Sequence, residues 1–428
     1  MSSICFSIGR REANQCTLRK RYNPHELFHV MQHQNSRIFS TEDAKQLAKR
    51  RLPRLIFDFV EGAAGREIGA NRNVSQFDDV MLQPRVMADV SARSLSTTLL
   101  GQSYDIPFGI APMGMCNLIH PRADQSLANA ANTIGFPLCL SSAASTSIEK
   151  MAELAGSNAW FQLYFGASID ASLALVERAR TAGYDTLVLT VDVPQVSRRL
   201  RDLRNGFAVP FKMTPRAVWD FATHPKWSLS TLAAGAPRPM NFTDDKGTSR
   251  FNRGANRSGA DWQFLQVLRE TWQGKLIVKG VTSGVDAQRI QSLGADAIYV
   301  SNHGGRQLDS VPPAIRLLPL IRAAVGPDYP LLFDSGIRNG EDIVKALALG
   351  ADLVMLGRPA LFALGAEGEA GLNALLKCIA EDISVVMAQL GLTSIDQIGP
   401  EAIFSTQSAQ HNAAKTEIHS ALRVAAKS

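Results

Sequence analysis

Three stretches share one phrasing: residues 183–192 read GYDTLVLTVD, residues 294–305 read GADAIYVSNHGG, and residues 350–359 read GADLVMLGRP. Each follows an amphipathic helical pattern, opens on a glycine where that helix must end, and passes through an aspartate into a short apolar run. Glycine suits the left-handed position just past a helix. An apolar run without alternation suits a parallel strand buried on both faces. The phrase is therefore the helix-to-strand half of a parallel α/β unit. Extending it in both directions gives candidate strands at 107–111, 137–140, 159–163, 186–191, 276–279, 297–301, 331–334 and 353–356. Eight strands alternating with helices favour an α/β fold closed as a (β/α)8 TIM barrel over an open doubly wound sheet.

The flanks divide the chain into an N-terminal extension (1–40), the barrel with a helical lead-in (41–400) and a C-terminal tail (401–428). Residues 1–40 lack apolar periodicity, are expected to be disordered or loosely attached, and contain no secretory signal. Residues 1–30 precede Met31 and are expected to be dispensable. A helix is expected from Thr41, because Ser40-Thr41-Glu42-Asp43 is a good helix-capping sequence. The segment Lys212–Gly259, between the fourth and fifth barrel strands, is rich in Pro, Gly, Ser and basic residues and reads as a long loop. Loops of that length are usually lids, binding loops or unstructured segments.

Of 428 residues, 45% are hydrophobic and 20% charged, which supports a sizeable core. No apolar run approaches the about 18 residues of a membrane span. Five cysteines without a C-x-x-C pair point to a reducing, cytoplasmic setting and to no metal centre, and Cys139 reads as plain core. The formal charge of +6 is uneven: residues 198–257 hold 12 Lys+Arg against 4 Asp+Glu, so this segment is +8 and the rest −2. Such a segment fits an anionic membrane surface, a funnel for an anionic substrate, or a merely solvated face. No nucleic-acid partner is expected. With Phe211, Trp219, Phe221 and Trp227 it also fits peripheral contact with the inner face of a membrane.

Chemistry in this fold collects at the C-terminal strand ends. Those ends supply Pro112-Met113-Gly114, Ser141, Gln162 with Tyr164, Thr190 with Asp192, Lys279, Ser301 through Arg306, Asp334 through Arg338, and Gly357-Arg358. DSGIRNG after the seventh strand and GRP after the eighth bring glycines, backbone N–H groups and two arginines to the usual barrel phosphate site. The bland alternative is that Arg338 and Arg358 are surface arginines. His303, followed by two glycines, has the chemistry of a general base near neutral pH. Asp192 can orient it, and Arg306 and Arg199 can clamp a carboxylate. Lys279 has a rival reading as the Schiff-base lysine of a lyase or aldolase.

From about Thr41 to Leu390 the sequence resembles the FMN-dependent 2-hydroxy-acid dehydrogenase/oxidase family, which includes glycolate oxidase, L-lactate dehydrogenase and (S)-mandelate dehydrogenase. SNHGGRQLD is the most specific motif, and WFQLY, LTVDVP, IVKG, DSGIRNG and KALALGAD agree in order and spacing. The resemblance implies oxidation of an L-2-hydroxy acid to the 2-keto acid. His303 would be the base and Asp192 its stabiliser. Arg199 and Arg306 would bind the substrate carboxylate, and Tyr164 the substrate oxygen. Lys279 would sit by the flavin N1–O2 edge. Pro112, Met113, Gly114, Ser141, Gln162, Thr190 and Ser301 would surround the isoalloxazine. Asp334, Ser335, Gly336, Arg338, Gly357 and Arg358 would hold the FMN phosphate end. A homo-oligomer, by resemblance a tetramer, is expected. Two departures bear on the substrate. Phe59, in FDF, stands where relatives have a carboxylate-binding tyrosine. Ala143 stands where glycolate oxidases have tryptophan. Both favour a lactate- or mandelate-like acid, or a longer one, over glycolate. Glycines at 114 and 305, where oxidases commonly have alanine, favour a quinone or another carrier over O2 as electron acceptor.

Overall fold

The computed structural model describes residues 36–209, 211–242 and 257–404. The 1–35 part of the expected loose extension and the 405–428 part of the tail lie outside the described residues. Ahead of the barrel, β1 (Thr97–Leu99) and β2 (Gln102–Tyr104) form an antiparallel hairpin. Leu100 and Gly101 between them both have positive φ, 53° and 82°, the geometry that matches a two-residue turn to strand twist. The eight barrel strands are β3 (Phe108–Met113), β4 (Leu138–Ser141), β5 (Ala159–Leu163), β6 (Thr186–Thr190), β7 (Lys275–Val281), β8 (Ala297–Val300), β9 (Leu331–Phe333) and β10 (Leu353–Leu356). They pair in parallel in chain order, and β10 closes on β3. Each matches a strand expected from the sequence. Gly183, Gly294 and Gly350 have φ of 88°, 81° and 106°, so the repeated glycine is set by a backbone that other residues rarely adopt.

The barrel interior is a packed layer of side chains, as the fold requires. Leu99, Tyr104, Ala111, Cys139, Trp160 and Tyr299 form part of one buried cluster. Cys139 is plain core, as read. The hairpin thus seals the interior at the end away from the strand C-termini.

Three helices lead into the barrel: Thr41–Arg51, Arg54–Glu61 and Ile68–Ser75. Ser40 caps the first, its hydroxyl accepting from the Asp43 N–H, where the capping signal placed it. The second carries Phe59. The third packs against the glycines after His303: a Cβ on Gly305 would lie 2.4 Å from the Ala70 nitrogen.

The segment after β6 is the long insertion expected there, and it carries helices of its own, Pro215–Ala222 and Pro225–Ala234. Proline is a breaker inside a helix, but in the first turn its missing N–H costs nothing and its fixed φ is already helical. Thr214 caps the first helix by accepting from the Ala217 N–H. Asp220 in turn accepts from the backbone N–H groups of Arg54 and Leu55, tying the insertion to the helix that bears Phe59.

Candidate active site

His303 begins a tight turn after β8 and is itself left-handed, with φ 59°. Its N–H donates to Ser301 Oγ at 3.0 Å. Its Nδ1 lies 3.1 and 3.3 Å from the two Asp192 carboxylate oxygens. That carboxylate fixes the proton on Nδ1, so Nε2 presents its lone pair. Nε2 lies 3.4 Å from Tyr164 Oη. Withdrawal from water lowers the His303 pKa; Asp192 opposes this, Lys279 and Arg199 add to it, and the net is a value below that of free histidine. The imidazole is therefore a neutral base at pH 7 with a counter-charge behind it. Gly280 makes the arrangement possible: a Cβ there would sit 2.5 Å from Asp192 Cγ.

Lys279 is buried at the end of β7. Its Nζ donates to Ser301 Oγ at 2.7 Å and pairs with Asp334 at 2.9 Å. Burial lowers its pKa, but the Asp334 and Asp192 charges outweigh that and raise it overall. A Schiff-base lysine must be neutral to attack. Lys279 is held charged, so the lyase reading is set aside.

The two phosphate-loop arginines meet at one end of the cavity, where Ser335, Gly336 and Gly357 also lie on the wall. Ser335 Oγ donates to Asp334 at 2.7 Å. Arg358 opens a long helix and donates to the carbonyls of Gly304, Val60 and Gly62 at 2.9, 3.2 and 3.3 Å. Withdrawal from water, then the Arg338 and Arg199 charges, push its guanidinium down to about 9. Arg338 is lowered by the same withdrawal. Two crowded like charges beside a helix N-terminus are what a dianionic phosphate would relieve. On β5 and at the end of β6 two buried polar atoms have no hydrogen-bond partner among the described residues, Gln162 Nε2 and Thr190 Oγ1. A cofactor with a phosphate at one end and a hydrogen-bonding ring at the other suits both features.

The cavity measures about 910 Å³. Its wall includes Phe59, Pro112, Met113, Gly114, Ser141, Ala143, Tyr164, Arg199, Lys279, His303, Arg306 and Asp334. Gln162, Thr190, Ser301 and Asp192 stand behind that wall. Phe59 reaches the cavity and stacks on Phe207, with centroids 4.5 Å apart and rings 4° from parallel. Arg306, expected to bind a carboxylate, is also held by the backbone. Its Nη1 donates to Gly62 O at 2.5 Å and Val60 O at 3.2 Å, and its Nη2 to Phe59 O at 3.1 Å. It is a fixed positive charge anchored on the carbonyl end of a helix, a favourable place for a cation. Sequence reasoning missed Arg257, which enters the cavity from the far end of the insertion. No periodicity or motif marked it. Among the described residues no group of His, Cys, Asp and Glu could hold a metal ion.

Comparison with known proteins agrees with this geometry. The family model for FMN-dependent dehydrogenases matches residues 48–405. The chain is 39% identical over 369 residues to (S)-mandelate dehydrogenase of Pseudomonas putida, covering 85% of this chain and 93% of that one. It is also 39% identical over 369 residues to L-lactate dehydrogenase of Pseudomonas syringae pv. syringae, covering 84% and 97%. The crystal structure of the monotopic membrane protein (S)-mandelate dehydrogenase superposes with a TM-score of 0.82 at 38% identity, covering 86% of this chain and all (100%) of that one. A mandelate oxidase with (S)-2-phenylpropionate superposes with a TM-score of 0.73 at 34% identity, covering 86% and 98%. This chain belongs to the FMN-dependent dehydrogenase family, and FMN is its cofactor.

Proposed function

We propose that this protein oxidises an L-2-hydroxy acid, lactate- or mandelate-like or longer, to the 2-keto acid and passes the electrons to a quinone or another carrier. The observation that carries the reading is His303, backed by Asp192 and facing Tyr164 in a cavity that also holds Arg199 and Arg306. When bound, FMN supplies the two-electron acceptor. His303 Nε2 takes the substrate hydroxyl proton, and Asp192 stabilises the imidazolium that results. Arg199 and Arg306 supply charge for the carboxylate, and Tyr164 Oη holds the substrate oxygen. Gln162, Thr190, Ser141 and Lys279 serve the ring end of the cofactor, Arg338 and Arg358 its phosphate. Anaerobic mixing of the purified yellow protein with 2-hydroxy acids should bleach the flavin. If no such acid does so, the reading fails. Reoxidation should be fast with quinone and slow with O2; the reverse would make the protein an oxidase. Of the two glycines behind the acceptor argument only Gly114 bears on it, because Gly305 is already demanded by the contact with Ala70.

The pocket favours bulk. Ala143 lines the cavity beside Gly114, so a larger residue at 143 is expected to occupy cavity space. Burying an aromatic ring is worth roughly 1.5–3 kcal/mol. Ala143→Trp is therefore expected to lower the mandelate-to-glycolate ratio of kcat/KM by about 10–100-fold. An unchanged ranking across glycolate, lactate, 2-hydroxyoctanoate and mandelate would remove position 143 from the pocket wall.

Peripheral membrane contact forms part of the proposal, and of the aromatics the sequence pointed to it keeps Trp219. Trp227 is buried, its Nε1–H donating to Leu118 O at 2.9 Å, and Phe221 packs on it with centroids 5.3 Å apart. The insertion instead exposes Met213, Trp219, Leu229 and Leu232, at 63%, 73%, 67% and 79%. Lys212, Arg216 and Lys226 accompany them. Apolar bulk among cations suits an anionic interface. No helix among the described residues is long and apolar enough to cross a membrane. The protein should co-sediment with anionic vesicles at low salt, and Trp219→Asp/Leu232→Asp should release it. Absence of binding, with a solution mass showing this face covered by a second copy, would refute the membrane contact.

A further inference from the structure

Arg257 has no role in the chemistry above, yet it is placed with care. It is 8% exposed. Its N–H donates to Pro194 O at 2.8 Å, which pins it to the segment leaving β6. Its guanidinium carbon lies 5.0 Å from the centroid of the Tyr164 ring, on the wall of the same cavity.

Arg238, also on the wall, is exposed to solvent, and the remaining cations of the cavity are accounted for. Lys279 has Asp334, and Arg306 and Arg358 have backbone carbonyls. Arg338 and Arg358 answer a phosphate, and Arg199 and Arg306 a single carboxylate. Arg257 is left over. Its guanidinium has five donor hydrogens, and among the described residues it has a ring face but no carboxylate or carbonyl acceptor. Withdrawal from water lowers its pKa, and Tyr164 is the one group that opposes this. A buried charge without an acceptor is costly unless its partner arrives with a ligand.

The position says which part of a ligand this is. The reacting hydroxyl must lie at His303 Nε2, beside the hydroxyl end of Tyr164. Arg257 lies over the ring instead. Val196 and Phe211 on the same wall offer apolar surface for intervening carbons. We propose that Arg257 is a distal anion subsite, and that the preferred substrate is a 2-hydroxy acid carrying a second carboxylate a few carbons from its reacting carbon. This rests on the 2-hydroxy-acid reading.

The test uses the full-length FMN-loaded protein with Arg257→Met and Arg257→Lys, flavin retention serving as the check on folding. Substrates are matched pairs: (S)-2-hydroxyglutarate against (S)-2-hydroxyvalerate, and 4-carboxymandelate against mandelate. Wild type should favour the diacid of each pair. Arg257→Met should lower the diacid-to-monoacid ratio of kcat/KM about 10–100-fold, the range for a lost charge-assisted hydrogen bond. Arg257→Lys should recover part of it. Calorimetry gives a readout apart from turnover: glutarate should bind more tightly than valerate, and lose that advantage in Arg257→Met. A wild type indifferent to the second carboxylate overturns the subsite. So does an Arg257→Met that weakens both members of a pair equally, since Arg257 would then serve the substrate's own carboxylate. If no 2-hydroxy acid reduces the flavin, the functional reading falls, and the glutarate comparison still decides the subsite.

Discussion

His303→Gln is expected to retain FMN and to lose about 10²–10⁴-fold in turnover, the usual worth of a general base. Glutamine keeps a polar group in place but cannot accept a proton near neutral pH. The flavin should survive because the arginines expected at the phosphate lie on other loops, those after β9 and β10. The pH profile sharpens the test. A base works only when neutral, and withdrawal from water sets the folded His303 pKa below 6.5 despite Asp192. kcat/KM should therefore fall on the acid side, with the midpoint of that limb below the value of free histidine. Asp192→Asn removes the chief influence raising this pKa. Its acid limb should move to still lower pH while turnover falls, because the imidazolium formed in the reaction loses its counter-charge. An acid limb above pH 6.5, or near-normal turnover in His303→Gln, would show that another group takes the proton.

What could be read from the sequence follows the range of each interaction. The helix-ending glycines and two-face-buried strands are local, so all eight barrel strands were legible, and the chemistry followed because it sits at their ends. The Ser40 cap was legible for the same reason. The hairpin at 97–104 was not, because three-residue strands leave no periodicity to detect. The helices at 215–222 and 225–234 were hidden by their own prolines, which read as breakers until Thr214 is seen to cap the first turn. Residue types named the site but not its bonding. Nothing local to Arg306 shows that its guanidinium anchors on the carbonyls of Phe59, Val60 and Gly62. Trp227 and Trp219 look alike in sequence, and packing alone buries one and exposes the other. Arg257 reaches Tyr164 only after the insertion has folded back over the barrel mouth.

The phosphate end gives the second large effect. Arg338→Met is expected to weaken FMN binding about 10–100-fold, since a hydrogen bond to a charged group is worth roughly 1.5–3 kcal/mol. Arg338 suits the test better than Arg358. The Arg358 guanidinium also holds the carbonyls of Val60, Gly62 and Gly304, so its removal would loosen the turn after His303. The Arg338 side chain donates to the carbonyl of its neighbour Ile337 at 2.7 Å, a local bond that leaves the fold little changed when lost. Its charge is also one of those depressing the Arg358 guanidinium. Without cofactor, removing it relieves repulsion, so the melting temperature of the apoprotein should hold or rise. With cofactor the sign reverses. Ligand stabilisation grows as the logarithm of concentration over Kd, so the expected loss of affinity removes about 1.4–2.7 kcal/mol of FMN-linked stability at saturation. Flavin fluorescence recovered on dilution gives the affinity, and thermal unfolding with and without added FMN gives the linked stability. Equal destabilisation of both forms would mean that Arg338 is structural, and an unchanged FMN affinity would place the phosphate elsewhere.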